Sequence, residues 1–188
     1  NSNMLALNGG RPEQMNLKDM ISSFIDFREE VVTKRIIFNL NKSRNKAHVL
    51  IGLVVANNNI DPIIKLIKSS KDSRDAKEKL IKSKWKLSDS DINFITLIGD
   101  QTTKFQKKTY SLTETQAKAI LELRLHRLTS LEREDIKKDL ENIVLEIKNY
   151  LEILNSRSKL LNVIKDELNE IKKDFSTPRR STISDREY

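Results

Sequence analysis

The chain has 188 residues, 33% of them charged and 5% aromatic, with a formal net charge of +8 at pH 7. So many charges and so few aromatic side chains exclude a broad globular core, and with four glycines and three prolines the composition favours an elongated all-α molecule. The lack of cysteine excludes a disulfide framework and thiolate chemistry and fits a reducing cytoplasm, and the longest apolar runs, such as Val49 to Ala56, are too short for a membrane span or signal peptide.

Residues 1–16 open with a hairpin signal: Met4 to Leu7 as a strand, Gly9 and Gly10 as the turn, and Arg11 to Met15 as the return. A hairpin of this size is marginal alone and reads as the remnant of a preceding domain. Asn16 then caps a helix that meets no glycine or proline before Gly52, so residues 17–57 read as one long arm of roughly 60 Å at about 1.5 Å per residue. Ile25, Val32, Ile36, Leu40, Ala47, Leu50 and Val54 form its three/four-spaced seam, interrupted by Glu29 and Ser43.

Asn57, Asn58 and Asn59, residues tolerant of left-handed turns, end the arm. A small helical domain follows over 58–130. Its first helix is expected at Asp61 and Pro62 with the Asp as cap, a second over Ser73 to Lys82, and a third opened by Ser88 with Asp91 three residues on. Asp100 to Ser111 reads as a surface loop and Trp85 as a packing anchor.

The central helix of this domain runs from Leu112 to Leu131. Thr113 and Gln116 form its capping box, and Ala117, Ile120, Leu121, Leu125 and Leu128 repeat at helical spacing. Ala119 and Leu123 fall outside that stripe, so the helix has two apolar sides. Most such stripes are core, and the second side serves either more core or another copy of the chain.

Thr129 and Glu132 open a second arm over 131–176. Ile136, Leu140, Ile143, Ile147, Tyr150, Leu154, Leu161, Ile164, Leu168, Ile171 and Phe175 make a sustained heptad seam broken only by Arg157. Matched arms around a compact insert predict an all-α fold: a long antiparallel coiled coil with a small helical globular domain at its tip. Both chain ends then lie together, with 177–188 as a terminal extension in which Ser181 to Ile183 adds a strand beside the β-hairpin.

Motifs for chemistry are missing. There is no phosphate-cradling glycine loop and no His, Cys and Asp cluster with metal spacing, and His48 and His126 stand apart as structural or surface residues. Tyr110 and Tyr150 have no neighbours in sequence that would activate a nucleophile.

The runs REEVVTKRIIFNLNKSRNKAHVLIGL, NIDPIIKLI, TETQAKAILELRLHRLTSLE and DELNEIKKDF followed by RR occur in that order. Together they resemble the A-subunit family of bacterial DNA gyrase, with the A subunit of topoisomerase IV as the alternative. The resemblance covers almost the whole chain and implies the later part of the breakage-reunion region: the coiled-coil arms and the tip domain that forms the exit gate, or C-gate. It implies an ATP-dependent isomerase acting on duplex DNA in the cytoplasm, in an A2B2 assembly whose other member is the gyrase B subunit. It also implies that this segment is catalytically silent, since no stretch matches the active-site tyrosine pattern and Mg2+ and ATP are used through the gyrase B subunit. No cofactor and no metal is expected here, and no membrane. A second class stays open: a non-enzymatic coiled-coil dimerisation scaffold or basic DNA-binding module.

A homodimer through the tip is expected to place Ile120, Leu123, Arg124 and Leu128 at or near the two-fold contact, with Arg124 either pairing across it or lying as a plain surface arginine. Lys34, Arg35, Lys42, Arg44, Lys46, Lys172, Lys173, Arg179 and Arg180 either line a cavity through which DNA passes or belong to ordinary solvated helix faces.

Overall fold

Gly9 and Gly10 take φ values of 56° and 82°, the positive pair that a two-residue hairpin loop needs. They join β1 (Met4–Asn8) to β2 (Arg11–Met15) in an antiparallel register running from Met4 opposite Met15 to Asn8 opposite Arg11. The computed structural model describes residues 4–98, 105–106, 108–122 and 130–182, and within them the chain is mostly helical.

The cap expected at Asn16 is present: its Oδ1 accepts from the Asp19 N–H at 2.8 Å. From there α1 (Leu17–Asn58) runs unbroken for 42 residues. The chain divides into two compact units, one built from Asn1–Ile36 and Ile153–Tyr188, the other from Ile37–Glu152. Residues before 37 and after 152 thus share one unit. No single described helix is long and apolar enough to cross a membrane.

The expected second arm is not one helix. It is α6 (Ser130–Leu154) followed by α7 (Arg157–Phe175). The break falls at Asn155 and Ser156, where the Ser156 backbone is extended and its Oγ accepts from the Lys159 N–H at 3.4 Å. Short polar side chains offer the backbone local bonds that compete with the helix, and two in succession outweigh the absence of Gly and Pro.

In the unit containing both chain ends, Val32 and Ile36 of the first arm and Leu160 and Ile164 of α7 are buried. Leu168, Ile171 and Phe175, assigned to the seam by spacing, are 39%, 54% and 77% exposed. Leu160, one residue before the expected Leu161, takes the buried position because the new cap resets the helical phase. Ser181 and Thr182, expected to start a strand, are not in one, and Ile183 lies outside the described residues.

In the other unit the α1 seam continues through Leu40, Ser43, Ala47, Ile51 and Val55, so burial passes to Ile51 and Val55 in place of Leu50 and Val54. Steps of four residues let the buried stripe drift around a straight helix, as a 3.6-residue turn requires. Ser43 does not interrupt the seam: it is 6% exposed and its hydroxyl donates to Glu146 at 3.1 Å.

At its end α1 turns by 90° into α2 (Ile60–Lys68). The turn is not left-handed, since Asn59 has φ −121°, and Asp61 lies inside the helix instead of capping it. Asn59 holds the corner differently. Its Nδ2 donates to the Val55 and Lys86 carbonyls at 2.8 and 2.9 Å, and its Oδ1 accepts from the Lys86 N–H at 3.3 Å.

After α3 (Ser73–Lys82), capped by Asp72, comes β3 (Trp85–Lys86) and then α4 (Asp89–Ile98). The Ser88–Asp91 capping box is reciprocal, at 2.9 and 3.3 Å. The span read as a surface loop contains β4 (Phe105–Gln106) and β5 (Thr109–Tyr110), which join β3 in an antiparallel sheet of order β3-β5-β4. Strands of two residues fall below any detectable alternation, and only the buried Tyr110 side chain hints at them. Trp85 is the anchor expected of it, 4% exposed with its indole N–H donating to the Leu80 carbonyl at 3.0 Å.

Candidate functional site

The Thr113–Gln116 box opens α5 (Glu114–Glu122), with Thr113 N–H donating to Gln116 Oε1 at 3.0 Å and Gln116 N–H donating to Thr113 Oγ1 at 3.4 Å. Gln116 does more than cap. It is fully buried, and its Nε2 donates to the His48 carbonyl and to the Tyr110 hydroxyl, both at 2.7 Å. His48 Nε2 lies 2.7 Å from Thr113 Oγ1, so this histidine belongs to the network as a structural group.

Gly52 makes the approach possible. A Cβ there would meet Gln116 Cβ and Cγ at 2.7 Å, closer than non-bonded carbons tolerate. Sequence reasoning missed this role, although a single glycine in an otherwise uninterrupted helix was the available signal.

Of the residues expected at a two-fold contact, Ile120 is 7% exposed and packs into the core of its own unit together with Ala117. Leu123, Arg124 and Leu128 lie outside the described residues, as do Thr129 and the side chain of Glu132 from the second capping box. On the outer side of α5, Glu114 pairs with Lys77 at 2.6 Å, and that hydrogen bond, aided by the lysine charge, holds its carboxyl below the ordinary value.

The basic residues do not form one set. Lys34 is paired within its helix to Glu30, and Arg35 reaches Glu167, which also accepts from Arg28 at 2.7 Å. Lys42 and Lys46 lie along an open groove of about 1040 Å³ whose other lip carries Asp139 and Glu146, with Phe38, Leu50 and Ile143 between them. Arg44 is half-buried, its Nε covered and without a hydrogen-bond partner among the described residues. Lys172, Lys173, Arg179 and Arg180 are exposed, and Arg179 donates to Ser181 Oγ at 3.4 Å. Among the described residues no group of three or more His, Asp or Glu side chains is placed to hold a metal.

The two polar residues that break the seams face each other. Arg157 Nε and Nη2 donate to the two carboxylate oxygens of Glu29 at 3.1 and 2.8 Å. A bidentate pair of this kind fixes orientation as well as charge.

Residues 1–169 match the family of DNA gyrase/topoisomerase IV A subunits. The chain belongs to this family. It is 45% identical over 185 residues to the DNA gyrase A subunit of Rickettsia conorii, covering 98% of this chain and 20% of that protein. With the DNA gyrase A subunit of Haemophilus influenzae it shares 39% over 187 residues, covering 97% of this chain and 21% of that protein. The chain thus spans about a fifth of the length of the gyrase A subunits it matches.

The Glu29–Arg157 bridge carries a pH signature. The arginine's hydrogen bonds, then its charge, hold the Glu29 carboxyl below its ordinary 4.5, and the same bonds raise Arg157. A carboxyl depressed on folding stabilises the fold above its unfolded pKa, and that contribution is lost as pH falls through the folded value. Urea unfolding at low salt, at pH about 6 and about 3, should therefore show a larger acid-induced loss in the wild type than in Arg157→Leu. Equal losses would mean that the bridge is not linked to folding.

Proposed function

We propose that this chain is the segment of a DNA gyrase A subunit that forms the exit gate, the C-gate through which the transported duplex leaves during ATP-dependent negative supercoiling. The family match along residues 1–169 supports the gyrase A part of the reading, and the 42-residue α1 with α5 bonded to it through Gln116 supports the arm-and-tip part. The gyrase assignment, as against topoisomerase IV, rests on the names of the relatives, each a gyrase A subunit.

In this reading α1 is one arm of an antiparallel coiled coil and α6 with α7 the other, and two copies meet at or near Ile120, Leu123, Arg124 and Leu128. The holoenzyme is an A2B2 assembly with the gyrase B subunit in the cytoplasm. Mg2+ and ATP chemistry belongs to the gyrase B subunit, and this segment acts mechanically. A gate must hold and then separate within each cycle, which suits a small contact carried on stiff helices that need not unfold. Duplex passing the arms would meet the exposed lysines and arginines as a sequence-independent attraction.

Two experiments test this. The chain has no cysteine, so a single Leu123→Cys or Leu128→Cys in a complete A subunit free of other cysteines supplies one cross-linkable thiol per copy. Oxidation should join two copies and stop strand passage, with dithiothreitol restoring it; strand passage that continues in the cross-linked dimer would contradict the gate. For the basic residues, converting Lys172, Lys173, Arg179 and Arg180 to Gln should lower duplex affinity and reduce its salt dependence by about one unit of slope for each phosphate no longer neutralised. An unchanged slope would assign them to ordinary solvated surface.

A further inference from the structure

A carbonyl inside a helix already accepts one bond from the N–H four residues on, and for His48 that residue is Gly52. Its second lone pair is open only if nothing on the neighbouring turn shields it. Gly52 leaves it open, and the Gln116 side chain lies in the space a Cβ would occupy, its own Cβ and Cγ 2.7 Å from that position. These are the near atoms of the side chain, which cannot swing aside. The packing here is therefore a close approach of α5 to α1 that the glycine permits and the glutamine fills.

Every polar atom of the Gln116 amide is used. The nitrogen donates to His48 O and Tyr110 Oη, the oxygen accepts from Thr113 N, and the residue is fully buried. Apolar faces can slide by a rotamer, whereas three directional bonds on one buried side chain are satisfied at one register and one angle only.

We infer that Gln116 is a positioning residue: seated on Gly52, it sets the angle of α5 on α1 and with it the placement of Ile120, the described residue that the gate reading puts nearest the second copy. The consequence for dimerisation rests on the gate reading above, while the latch between the two helices stands on the local geometry. A core glutamine that only filled space would be replaceable by methionine, which has nearly the same length and volume. A positioning glutamine is not.

The test uses the 188-residue chain with Gln116→Met, and Tyr110→Phe as a gentler variant that removes one of the three partners. Sedimentation equilibrium gives the dimer dissociation constant, circular dichroism gives helix content, and amide hydrogen exchange reads α5 and α1 separately. The expected result is retained helix content, a dissociation constant raised about tenfold in Gln116→Met and less in Tyr110→Phe, and faster exchange in α5 with residues 40–56 of α1 still protected. A folded Gln116→Met with wild-type dissociation constant and wild-type α5 exchange overturns the inference. Should the unsubstituted chain be monomeric at every concentration, the gate reading fails, and the latch is then decided by the exchange data: selective loss of protection in α5 supports it, and uniform or absent loss overturns it.

Discussion

The unit that carries α5 depends on one close approach, in which the backbone of α1 at Gly52 admits the Gln116 side chain to the core. The second site of the same unit, the 90° corner between α1 and α2, is built on a similar principle. There Asn59 reaches the Val55 and Lys86 carbonyls and the Lys86 N–H, bonding α1 to β3 as Gln116 bonds it to α5. Buried amides with every polar atom satisfied specify orientation in a way that the surrounding Ile, Leu and Val side chains cannot. The small body is thus keyed to its long helix at two places by side-chain amides.

The unit holding both chain ends is keyed differently. Its helices are joined by Glu29 with Arg157 and by Glu167 with Arg28 and Arg35. Partly exposed pairs of this type contribute little stability each, but bidentate geometry and a shared carboxylate select one register among several an apolar seam would accept.

Much of this is legible in the sequence because it depends on local signals. The glycine pair of the hairpin follows from the positive φ that glycine takes freely, and the cap at Asn16, the box at Ser88 and Asp91 and the start of α3 at Asp72 follow from side chains bonding backbone within three residues, which spacing reveals. What is not legible depends on a short local break, on helical drift, or on partners far away in the chain. The second arm reads as continuous because heptad spacing survives a two-residue break, although Arg157 already marks the place. Spacing favours Leu50 and Val54 over Ile51 and Val55 because a fixed seam ignores the drift of a straight helix. The strands at 105–106 and 109–110 exist only through pairing with Trp85 and Lys86. Gln116 reads as a cap, and its deeper role requires knowing that Gly52 lies against it.

The family places the chain among type IIA topoisomerase A subunits, and the central claim beyond that is that this segment forms a two-fold contact by itself. The most direct measurement is the solution mass of the unsubstituted 188-residue chain by sedimentation equilibrium over a wide concentration range. The gate contact requires a reversible dimer of twice the 21.8 kDa chain mass. A monomer at every concentration would contradict it, leaving the apolar residues after α5 to the interior of their own unit.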